Sequence, residues 1–200
     1  MKHLKLFSML LCGLSALVLT SCLNDDDNTG LTPEEVRTAY QLVKGSHSGK
    51  VIFSAANPNN TKDTTDTLAV TWNVLTDSTM VIHNLPISKI AANVTDADLK
   101  SAIAALPDQD VDCFIGFTVV SPVTFLINPS LVEYPALSYG GATHKVQIGF
   151  YINNTSSFGM YNTTSGAMIM QVAVGGFYVD GKLDQSLLSG PFGFVFEAKE

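Results

Sequence analysis

His144-Lys145-Val146-Gln147-Ile148-Gly149-Phe150-Tyr151-Ile152-Asn153 places Val146, Ile148, Phe150 and Ile152 at every second position. Successive side chains of a strand point to opposite faces, so this period reads as a half-buried β-strand. The pattern recurs on either side. Leu68, Val70, Trp72 and Val74 share one face, with Thr71 and Asn73 on the other. Val51, Phe53 and Ala55 alternate with Lys50, Ile52 and Ser54, and Phe192, Phe194 and Phe196 repeat the spacing near the C-terminus. Asp77-Ser78 makes a short turn into Met80-Val81-Ile82, so residues 66–84 read as a hairpin.

Further strands are expected at 112–120, 123–128, 158–162, 167–175 and, as a short piece, 177–180. Gly140-Gly141, Asn153-Asn154, Gly175-Gly176 and Asp180-Gly181 punctuate them as turns or bulges. The strands at 112–120 and 167–175 are apolar at successive positions, which predicts a central place covered on both sides. Many short strands with turn signals give a mainly β, β-rich α+β class. The expected architecture is an antiparallel β-sandwich or a lipocalin-like (calycin-like) barrel.

Two helices interrupt the strands. Thr32 as N-cap, Pro33 at the first helical position and Glu35 at the third form a capping box, and Val36, Ala39, Tyr40 and Val43 make the apolar stripe of a helix over about 32–44. Ile87 to Ala92 reads as one or two helical turns. An inserted helix over about 95–106 has Thr95 as its expected cap, Asp96 and Asp98 in its first turn, and Leu99, Ala102, Ile103 and Leu106 on one face. Each should pack on the sheet or cover one of its ends.

The N-terminus reads differently. Lys2 and Lys5 precede an apolar run from Leu6 to Leu19, and Ser21 directly precedes Cys22. The run is too short to span a bilayer and is followed at once by Asp25-Asp26-Asp27. This is the layout of a lipoprotein signal peptide over residues 1–21, with lipidation expected at Cys22. Residues 22–30 read as an acidic flexible tether and 31–200 as a single β-rich domain. Two or more acyl chains on Cys22 would anchor the protein stably, where one would hold it only marginally.

The acidic cluster after the cysteine resembles that of Bacteroidetes-type surface lipoproteins, although Leu23 precedes it and it holds no lysine. That resemblance covers residues 1 to about 29. It implies an outer-membrane, lipid-anchored location on the surface face in preference to the periplasmic one. In length, signal and β-rich body the whole chain resembles the small uncharacterised lipoproteins of that group, and it brings no catalytic residues with it.

Composition narrows the function classes. Removal of Lys2 and Lys5 would leave nine basic against 18 acidic side chains, which argues against nucleic acid as a partner. Cys12 would leave with the signal and Cys22 would be lipidated, so Cys113 stands alone and no internal disulfide is expected. Its apolar setting, Cys113-Phe114-Ile115-Gly116-Phe117, points to a structural thiol.

No catalytic, metal or cofactor signature stands out. His47, His83 and His144 lack metal-ligand spacing and are expected to make hydrogen bonds. Asp108-Gln109-Asp110-Val111-Asp112 begins like a calcium loop, but Cys113 stands where Gly is needed and Val119 where Glu is needed. Gly140-Gly141 and Gly175-Gly176 are not phosphate cradles, and the serines form no nucleophile elbow.

Asp63-Thr64-Thr65, Asp66-Thr67-Leu68 and Asp77-Ser78-Thr79 resemble the O-glycosylation acceptor motif of exported Bacteroidetes proteins. That resemblance makes Thr64, Thr67 and Ser78 candidate acceptors, while turn chemistry explains the same residues. The expected function is therefore a non-enzymatic, membrane-held module that binds a small molecule, a glycan or a protein. The alternatives are an accessory glycan-binding lipoprotein and a hydrolase with an unrecognised carboxylate site. Tyr139, Tyr151, Phe158 and Tyr161 are the candidate aromatics for a sugar-stacking platform.

Overall fold

The computed structural model describes residues 30–54 and 65–199; Cys22 and Thr64 lie outside them. Helix α1 (Pro33–Val43) begins as its sequence predicts. The Thr32 hydroxyl accepts from the Glu35 N–H while the Glu35 carboxylate accepts from the Thr32 N–H, so two otherwise unpaired donors are satisfied.

Eleven strands follow: β1 (Gly45–Ser54), β2 (Thr65–Val74), β3 (Thr79–Leu85), β4 (Gln109–Val120), β5 (Val123–Pro129), β6 (Val132–Tyr139), β7 (Ala142–Phe150), β8 (Phe158–Asn162), β9 (Ala167–Val179), β10 (Lys182–Asp184) and β11 (Phe192–Lys199). A 3₁₀ helix (Ile87–Asn93) and helix α2 (Ala97–Ala104) lie between β3 and β4.

Eight of the strands close into an antiparallel barrel, in the order β1-β2-β3-β4-β5-β8-β9-β11 and back to β1. Closure rests on two sets of pairs. Lys50 to Ile52 lie opposite Val195 to Glu197, and β11 runs the length of β9 from Val174 to Ala167. The sandwich expected as one alternative does not form, because every strand of this ring is paired on both edges.

β9 is longer than the barrel needs. Its first part joins β8 and β11, and its last part carries β7 on one edge and β10 on the other. With β6 beyond β7, this makes a four-stranded extension, β10-β9-β7-β6. The pieces read separately at 167–175 and 177–180 are thus one strand. It passes through a bulge where Gly149 faces Gly176 and Phe150 faces Val174, with Gly176 at φ +152°. The extra residue shifts the alternation by one position, so Val174 and Phe177 both join the core.

Other expectations need correction. The cap of α2 is Asp96, whose carboxylate accepts from the Leu99 N–H at 2.7 Å, while the Thr95 hydroxyl donates to the Ser186 carbonyl. β6 was not expected, because Pro135 interrupts its pattern. β4 is covered on one face only, with Phe114 64% exposed on the other. β7 ends at Phe150. Asn153, beyond that end, exchanges hydrogen bonds of 2.6 and 3.1 Å with Asn128 of β5, and Ile152 is exposed.

The barrel is filled by its own side chains. Phe53, Trp72, Met80, Ile82, Phe125, Met170, Phe194 and Phe196 are buried in one cluster. The full burial of each large apolar side chain contributes about 1.5–3 kcal/mol. An eight-stranded barrel is just wide enough for this. Trp72 brings the polar atom of this group inside, and its indole N–H points at Met168 Sδ at 3.3 Å. His47 stacks on the indole, with ring centres 5.7 Å apart. Gly159 matters for the same packing, since a Cβ there would overlap the Phe125 ring.

α1 lies across the barrel end where β1 starts. Ala39 and Val43 join the core, the helix packs against β4, and the Tyr40 hydroxyl donates to the Leu75 carbonyl. The 3₁₀ helix packs with α2 and touches β1 of the barrel, and α2 packs against β6 of the extension.

Candidate functional site

The groups with most chemical potential are two histidine–aspartate pairs. At the end of β3, His83 Nδ1 lies 2.9 Å from Asp110 Oδ2, and Asp110 Oδ1 accepts the Asn84 N–H. At the start of β7, His144 Nδ1 lies 2.8 Å from Asp180 Oδ2, and Asp180 Oδ1 accepts the Lys145 N–H. Each carboxylate thus clamps a histidine and the backbone amide after it. The hydrogen bond from His83, then that from Asn84, holds Asp110 below the ordinary aspartate range. The His144 and Lys145 bonds act on Asp180 in the same way.

A carboxylate on Nδ1 orients an imidazole and leaves Nε2 outward, which is the supporting half of a catalytic triad. The other half is missing, because among the described residues no hydroxyl or thiol hydrogen-bonds to either Nε2. Tyr139 packs on the His144 ring at 4.6 Å between centres. Its phenol is pushed up by burial first, and then by Asp180 and Asp96. The pairs stand on different parts of the fold, one on the barrel wall and one in the extension. They fasten strand ends. His47 likewise makes a hydrogen bond, its Nε2 lying 2.8 Å from the Val43 carbonyl oxygen.

The remaining candidates sort by position. Cys113 faces the barrel interior, where burial and then Asp112 push its thiol up to about 12. A thiol so protonated is no nucleophile at neutral pH. Asp110 and Asp112 belong to β4, so the Asp108–Asp112 segment forms no calcium loop. Among the described residues no three His, Cys, Asp or Glu side chains come together as a metal site. Thr67 is exposed on β2, and Ser78 is exposed in the β2–β3 turn.

The aromatic platform is not assembled. Phe158 is buried, Tyr139 packs on His144, Tyr161 packs against the core, and Tyr151 alone is well exposed. Two surfaces were not anticipated. On the outer face of the extension, the Tyr178 ring lies over Gly149 beside Leu131, and Leu183 lies over Gly176. At the α1 end of the barrel, Leu42, Leu75, Phe114 and Val119 are all exposed. In sequence each is one apolar residue in an apolar run. Only the direction of its strand or turn reveals its exposure.

No curated protein and no solved structure matches the chain. Residues 42–179 match DUF4840, a domain of unknown function. The match runs from the end of α1 through β9, and β11, which closes the ring, lies beyond it. With more than half of its length matched, the chain belongs to the DUF4840 family.

Proposed function

We propose that this protein is a lipid-anchored cell-envelope module of the Bacteroidetes type, held through Cys22, whose barrel binds a partner by its outer surface and performs no reaction. The observation that carries the second half is the filled interior. Trp72, Phe125, Phe194 and Phe196 occupy the space in which an open eight-stranded barrel would hold a ligand. His47, His83, His144 and the buried Cys113 are committed to structure, which supports the non-enzymatic reading. The exposure of Thr67 and Ser78 is compatible with their modification by a glycan.

Intact mass of the protein purified from membranes tests the anchor. The expected species begins at Cys22 and carries acyl chains, and Cys22→Ser abolishes both lipidation and membrane recovery. A mature chain that is unmodified at residue 22 would overturn it. Titration with a fluorescent fatty acid tests the binding mode. The expected result is no saturable binding, and stoichiometric uptake quenched from Trp72 would restore an interior ligand.

A further inference from the structure

Of the exposed large apolar side chains among the described residues, Leu42, Leu75, Phe114 and Val119 gather at the α1 end, while Leu131 and Leu183 lie on the extension. Leu42 lies on α1, and Leu75, 53% exposed, opens the turn between β2 and β3. Phe114 lies on β4 opposite Thr79, the first residue after that turn, and Val119 lies on the β4–β5 hairpin. Hydrogen bonds join these pieces into one end. Tyr40 of α1 donates to Leu75, the Leu75 N–H donates to Thr79, and the Ile115 N–H donates to Ser78. Arg37 on α1 and its C-cap Lys44 are exposed, as are Glu34 and Glu35 in its first turn.

The chain that leads to Cys22 also starts here. Leu31 packs on the core next to α1, and Gly30 stands eight positions after Cys22. At about 3.3–3.6 Å per residue such a segment reaches less than ~30 Å, so a lipid on Cys22 holds this end near the bilayer. We propose that the α1 end is a lipid-contact face, on which Leu42, Leu75, Phe114 and Val119 rest in the interface of the membrane that receives the acyl chains. This inference rests on the lipid-anchor reading. Apolar side chains at such an end enter the interfacial region of a bilayer. The net negative charge of the chain makes zwitterionic lipid the fitting surface.

The test couples the mature chain through Cys22 to a maleimide-headgroup lipid in phosphatidylcholine vesicles, so attachment does not depend on cellular processing. The buried Cys113 leaves Cys22 as the reactive thiol. Tryptophan is introduced singly by Leu75→Trp, Phe114→Trp or, on the extension, Leu183→Trp, all at exposed positions. Brominated acyl chains then serve as quenchers, with the buried Trp72 as a common background. Quenching several-fold stronger for Leu75→Trp and Phe114→Trp than for Leu183→Trp is expected. Equal quenching, or the reverse order, would overturn the lipid-contact face while leaving the mass measurement of Cys22 untouched. A dimer in solution that Phe114→Asp dissociates would assign the face to a second copy and overturn it as well.

Discussion

The barrel and the extension share β9 yet solve the problem of a sheet edge in different ways. In the barrel every strand is paired on both sides, and the buried face is surrounded on all sides by its own wall. The extension is an open sheet with two edges. β6 carries Pro135 and a register shift between Tyr134 and Leu137, and β10 is only three residues long. Proline, bulges and short strands are the usual protection of an exposed edge. Closure therefore lets the barrel dispense with edge protection, and the extension must encode it.

Their buried polar groups differ too. The Trp72 N–H in the barrel has Met168 Sδ as its partner, whereas the buried Tyr134 hydroxyl in the extension has none among the described residues. Burial pushes that phenol up to about 12. Elsewhere the two regions use the same device, since each has one strand end fastened by an aspartate to a histidine and the next amide.

The largest contrast is expected from the buried rings. Trp72→Ala should destabilise the protein by about 3–5 kcal/mol through the cavity it leaves. Tyr134→Phe should leave stability unchanged or raise it by about 1 kcal/mol, because it removes an unpaired buried hydroxyl. Urea unfolding of both variants measures the difference, and equal losses would erase the distinction between the regions.

A smaller contrast lies within the barrel wall. Gly159→Ala forces a methyl group into the Phe125 ring and should cost about 1–3 kcal/mol. Gly116→Ala points into open space on the outer face and should stabilise the strand by about 0.5–1 kcal/mol. Thermal unfolding of the pair reads the sign directly.

The smallest effect is the pH dependence of the two clamps. Asp110 and Asp180 are held below the ordinary aspartate range in the folded state, so their contribution is present above that range and fades as pH falls through the lowered values. Asp110→Asn and Asp180→Asn should each lower the urea midpoint at pH 7 and flatten its decline in acid. A decline of undiminished slope in the double variant would show that neither clamp contributes.

Much of this architecture was legible locally. The capping box at Thr32 and Glu35, the β2–β3 hairpin and β8 follow from residues close in sequence, where side-chain chemistry and alternation act directly. What escaped depends on distant partners. Thr95 and Asp96 are adjacent and both able to cap, and the choice falls to Asp96 because Thr95 bonds to Ser186 from another part of the chain. β6 tolerates Pro135 because its outer edge needs no donor. Phe158, read as an exposed aromatic, is buried on the other side of the wall from the main core.

By itself the sequence determined the alternating strands and the start of α1, and it raised the expectation of an anchored N-terminus. Alternation specifies which face of a strand is apolar, because neighbouring side chains point to opposite sides of the backbone. It does not specify which strand edges meet. Whether the strands stacked as two sheets or closed as a ring was decided by the pairing of β11 with both β1 and β9. The same pairing turned the apolar faces inward until they filled the barrel and left Leu75 and Phe114 exposed at the end from which the chain leads back to Cys22.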